Sequence, residues 1–137
     1  MSKFQTILTW IPQLLNGARV TISLTILAVS AGVVLSLFLA LGKMSKITVI
    51  NKFCGAYVFF FRGTPLLMQL YFIYYALPMI ASFLTINSRF FAAFVAFSLN
   101  SAAYCAEIIR AAIQSIDKGQ FEASRALGLS YAQTMRL

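Results

Sequence analysis

Three acidic residues, Glu107, Asp117 and Glu122, and no histidine make up the acid–base inventory of this 137-residue chain. That removes histidine-based nucleophiles and general bases, gives no basis for a zinc site, and leaves no carboxylate pair for acid catalysis. The side chains that could act on a solute are amides, a phenol and one carboxylate. Asn100, Tyr104 and Glu107 are spaced by four and three residues, which at about 3.6 residues per turn sets them on one narrow helical face. A carboxylate in a spanning helix costs about 3 kcal/mol, so such a group faces a bundle interior or an aqueous path. Two roles are open to Glu107: pairing with Arg110 at i+3 in the headgroup zone, or lining a route for a polar solute with Asn100 and Tyr104. Gln69 is a fourth candidate, because an amide in hydrocarbon needs a partner on a neighbouring helix. Such groups pass a solute along; they do not transform it, so an enzyme is not expected.

The elements that must position these residues are membrane spans. Hydrophobic residues make up 61% of the chain and charged ones 10%, and the mean hydropathy is +0.85, outside the range of soluble domains. A span needs about 20 largely apolar residues. Val20 to Gly42 supplies a charge-free run between Arg19 and Lys43, and the second and third spans read as about 64–86 and 90–109. The expectation is an all-α, polytopic helix bundle. Met1 to Ala18 lacks the pattern of a cleaved signal peptide and carries Trp10, Ile11, Leu14 and Leu15 among polar residues. Residues 1–18 therefore read as an outer interfacial segment with Trp10 at headgroup depth.

Lysine and arginine near span ends stay on the cytoplasmic side. Lys43, Lys46, Lys52 and Arg62 lie between the first two spans, and Arg110, Lys118, Arg125 and Arg136 follow the third; only Lys3, Arg19 and Arg89 fall on the other side. The N-terminus is thus expected outside and the C-terminal end inside. The net charge of +8 reflects this topology and attraction to anionic lipid, not nucleic-acid binding, since the charges form no basic stripe. Cys54 and Cys105 lie far apart and form no Cys-x-x-Cys pair, so no structural disulfide is expected.

Ala28, Gly32, Ser36 and Ala40 recur every fourth residue and give span one a small stripe suited to close helix packing; Ala92, Ala96 and Ala103 do the same for span three. Arg62-Gly63-Thr64-Pro65 reads as the start of span two, with Thr64 as cap and Pro65 in the first helical position. Arg62, opposed there by the helix dipole, needs a compensating partner, either anionic lipid or protein. Phe53 to Phe61 is too short to span and is expected along the inner surface or beneath the second helix. Tyr71, Tyr74 and Tyr75 read as an interface belt.

Three blocks of sequence, Phe61 to Leu70, Asn100 to Ile113 and Gly119 to Ser130, resemble in order the permease subunit of bacterial ABC importers for polar amino acids. The resemblance implies an ABC importer type-1 transmembrane domain over residues 19–137, with three of about five spans present and further spans following in the intact protein. It implies that residues 119–130 form a short coupling helix that enters a groove on an ATP-hydrolysing subunit, with Glu122, Ala123, Ser124 and Gly128 at the interface; Ser124 stands where the family pattern has alanine. It also implies a second permease subunit, identical or paralogous, an extracytoplasmic solute-binding protein, a polar amino acid as cargo and a place in the bacterial inner membrane. ATP and magnesium would be held by the ATPase partner, with no cofactor in this chain. A lone carboxylate at Glu107 would favour a cationic cargo. The competing reading is a small helical anchor or regulatory subunit without transport activity, which explains the spans and charge bias but not the three blocks together.

Overall fold

The computed structural model describes residues 3–134 and 136 of the chain. Helix α1 (Lys3–Lys43) runs unbroken for 41 residues through Pro12. Helix α2 (Thr48–Gly63) follows a short turn. Helix α3 (Leu66–Tyr71) then passes into a π-helical stretch at Phe72–Ala76, the short α4 (Leu77–Ile80) and a 3-10 turn at Ser82–Leu84. Helix α5 (Arg89–Ser115) returns alongside α1, and α6 (Lys118–Ala126) and α7 (Tyr131–Thr134) complete the order. No strand occurs among the described residues.

Among the described residues, two helices are long and apolar enough to cross a membrane, Thr9–Lys43 and Arg89–Ser115; the bent pair Thr48–Gly63 and Leu66–Ile80 would make a third. A 35-residue helix is about 52 Å long at about 1.5 Å per residue, well over the hydrocarbon thickness. The interfacial segment expected over residues 1–18 is accordingly no separate element. From Lys3 onward it forms the first turns of α1, which continues through Pro12 without a break.

The two small stripes pack against different partners: Gly32 approaches Ser98 and Ser101 of α5, Ala40 clusters with Ala102 and Ala106, and Ala92 and Ala96 cluster with Ile73. Ala28, Gly32, Ser36 and Ala40 of α1 are buried, as are Ala92, Ala96 and Ala103 of α5. A Cβ built on Gly32 would lie 2.8 Å from Ser101 Cβ and 3.1 Å from the Ser98 carbonyl, so the approach leaves no room for one methyl group. Leu39 and Ala40 share one apolar cluster with Cys54, Val58, Ala102 and Ala106; Ile73, Ala92 and Ala96 form another. The order of these contacts makes α1 and α5 parallel, with α2 packed against both.

The second span departs from the sequence expectation. In place of one helix over 64–86, α2 and the following helical segment meet at 106°. The cause is local: a proline disfavours helix in the residue before it, and Thr64 is extended at φ −115° and ψ 143°. Pro65, expected in the first helical position, sits one place earlier as the residue flanking α3, and Thr64 closes α2 instead of capping α3. The Phe53 to Phe61 stretch is the body of α2 and packs into the bundle, with Val58 buried.

Candidate functional site

The bend raises a backbone problem that two amides solve. The last carbonyls of a helix have no partner within it, and Phe61 loses the donor four residues on because Pro65 has no N–H. Gln69 Nε2 lies 2.9 Å from the Phe61 carbonyl oxygen, 3.1 Å from that of Thr64 and 2.8 Å from the Thr64 hydroxyl. Asn100 Nδ2 donates to the same Phe61 oxygen at 3.1 Å and to Gln69 Oε1 at 3.2 Å. Thr64 Oγ1 in turn donates to the Phe60 carbonyl at 2.8 Å. The chain Asn100 to Gln69 to Thr64 to Phe60 ties α5 to both sides of the bend, each bond polarising the next. Gln69 is buried. Above it the Tyr57 hydroxyl donates to the Leu99 carbonyl at 2.9 Å, a second tie between α2 and α5.

About two turns beyond Asn100 the chemistry changes from amide to charge. Glu107 Oε2 accepts from Lys43 Nζ at 2.6 Å, and Oε1 accepts from Arg110 Nε at 2.9 Å and also from its Nη2. The last residue of α1 and the lower part of α5 are therefore joined by an ion pair. Arg62 faces Tyr104, with its guanidinium carbon 5.4 Å from the ring centroid, a cation–π contact. Lys43, Arg62, Tyr104 and Glu107, with Gly55 and Phe59, line an open cavity of about 410 Å³. The face read from the sequence as one unit is thus divided: Asn100 joins Gln69 at the bend, while Tyr104 and Glu107 belong to a separate polar cavity.

Helix α6 is built to stand clear of the spans. Asp117 Oδ1 accepts from Gly119 N at 2.6 Å and caps its start. At its end Gly128 adopts φ +75°, Leu129 N donates to Ser124 O at 3.0 Å and Gly128 N to Arg125 O at 2.9 Å, the two bonds of a Schellman motif. Glu122, Ala123 and Gly128 are exposed, Leu127 strongly so, whereas Ser124 is buried.

The chain matches, over residues 32–137, the family described as binding-protein-dependent transport system inner membrane component. It belongs to that family. Its relatives include the probable amino-acid ABC transporter permease protein YckA of Bacillus subtilis, 43% identical over 91% of this chain and 54% of the relative. The putative glutamine transport system permease protein GlnP of Rickettsia typhi is 47% identical over 85% of this chain and 52% of its own length. The crystal structure of an amino acid ABC transporter with histidines superposes with a TM-score of 0.87 at 43% identity, covering 99% of this chain and 62% of that one. The chain spans about half the length of the curated relatives it matches. As a member of this family, it is a helical, multi-pass inner-membrane component.

Three participants escaped the reading of the sequence. Lys43 lies 64 residues from Glu107 and was taken only as a topological signal. Tyr57 lies in the Phe53 to Phe61 segment, which reads from the sequence as too short to span. The Phe61 carbonyl is backbone, invisible to a search by side chain, yet a proline four residues after it is the signal of an orphaned acceptor.

Proposed function

We propose that this chain is part of the permease subunit of an ATP-driven importer of polar amino acids. It contributes to the solute path and passes the ATPase subunits' motion to the spans through α6. The observation that carries the reading is the close match, over nearly all of this chain, to the solved amino acid transporter. The exposed Glu122 and Ala123 on a helix capped at both ends support it, since such a helix is a preformed plug for a groove. On this reading the N-terminus is outside and α6 is cytoplasmic, in keeping with the eight basic residues on that side. ATP and magnesium act on partner subunits; an extracytoplasmic binding protein delivers the cargo to a pair of permeases, and the chain itself is no enzyme.

Gln69 and Asn100 then shape the path by holding the bend, while Tyr104 and Glu107 border it on the cytoplasmic side. Glu107 does not select a cationic cargo, because its carboxylate is already engaged by Lys43 and Arg110. The test is copurification of the ATPase with the permease from membranes that express the whole transporter. Glu122→Arg and Gly128→Val are each expected to reduce the recovered ATPase at least tenfold at unchanged permease level. Full recovery with both variants would overturn the assignment of α6.

A further inference from the structure

The cavity beneath the bend has a charge imbalance that the transport reading does not use. Lys43, Arg62 and Arg110 bring three cations to a region holding one carboxylate, Glu107, which already receives two of them. Arg62 pairs with no carboxylate among the described residues; Tyr104 covers its face and leaves the N–H edges free. Lys43 spends one donor on Glu107 and keeps two, and the Tyr104 hydroxyl has no hydrogen-bond partner among the described residues. The wall between them is open because Gly55 and Gly63 carry no side chain, and a Cβ at either would meet nothing within 4 Å.

We propose that this cavity binds the phosphate of an anionic phospholipid. Arg62 supplies the forked donor that suits a phosphate, and Lys43 and Tyr104 supply further donors around it. The flank of the cavity decides for a lipid over a soluble anion: Phe59 on its rim is 82% exposed and the adjoining Phe60 56% exposed, an apolar track on which acyl chains can lie. The cavity also sits at Lys43, where the first span ends on the side richer in basic residues, and basic pockets between helices on that side suit anionic headgroups. The site stands whether or not the chain carries amino acids.

The test is native mass spectrometry of the protein purified from bacterial membranes and exchanged into micelles carrying equal phosphatidylglycerol and phosphatidylcholine. Wild type should retain phosphatidylglycerol selectively. Arg62→Gln should lower that retention about fivefold or more, the factor expected for one basic residue at an anionic surface. Gly55→Leu fills the cavity at a position with free space and should do the same with unchanged thermal stability, so the idea is tested even where Arg62→Gln destabilises the fold. Lys52→Gln, an exposed charge outside the cavity, should change nothing. Equal retention in Arg62→Gln and Gly55→Leu would overturn the proposal. Displacement of the lipid by millimolar inorganic phosphate would also overturn it, by assigning the pocket to the free anion.

Discussion

Asn100 and Glu107 occupy the same face of α5 less than two turns apart, yet they serve opposite kinds of site. At Asn100 the polar groups are neutral and partly to fully buried, and their donors are aimed at backbone oxygens, at another amide or at the Thr64 hydroxyl. At Glu107 they are charged, about one-fifth exposed, and cations outnumber the carboxylate. A neutral buried network is costly to break because each lost member strands another. A partly solvated ion pair is cheap to break because water replaces the partner. The two sites are therefore suited to different tasks: the first fixes the path of the chain, and the second leaves charge available for something outside it.

That contrast is open to attack by substitution. Gln69→Leu should have the largest effect, about 2–3 kcal/mol of stability, since it strands the Thr64 carbonyl and weakens the hold on that of Phe61. A thermal melt in detergent within error of wild type would erase the distinction. Asn100→Ala should cost about 1–2 kcal/mol, because Gln69 still serves Phe61. Glu107→Gln should cost about 1 kcal/mol or less, and the loss should shrink with added salt, whereas that of Gln69→Leu should not. Arg62→Lys should be smallest, within about 0.5 kcal/mol, because a cation still faces Tyr104. A cost for Arg62→Lys larger than that of Asn100→Ala would make the open cavity a structural element after all.

The sequence made the helix packing legible because small residues at every fourth position leave a periodic trace, as Ala28, Gly32, Ser36 and Ala40 do. It also singled out Gln69 and Asn100, since amides in an apolar run are conspicuous. Their purpose was hidden because the partner is a main-chain oxygen made needy by a proline, and Pro65 was weighed for the helix it precedes instead of the one it ends. The pairing of Lys43 with Glu107 was hidden for another reason. It depends on the relative height of two parallel helices, fixed by where Gly32 meets Ser98 and Ser101, and no local pattern encodes that height. The division of the α5 face followed from the same gap, because spacing locates residues on a helix without saying what stands opposite each one.

The fit at Gly32 has a mechanical side. With no space for one methyl group between the helices at Gly32, α1 and α5 resist sliding there and form a single slab two helices wide. Helix α6 leaves that slab after only Ile116 and Asp117, so the joint has almost no slack. On the proposed coupling role, a push on α6 would reach the slab as a tilt, with the stiffness of the lever set by an atom that is not there.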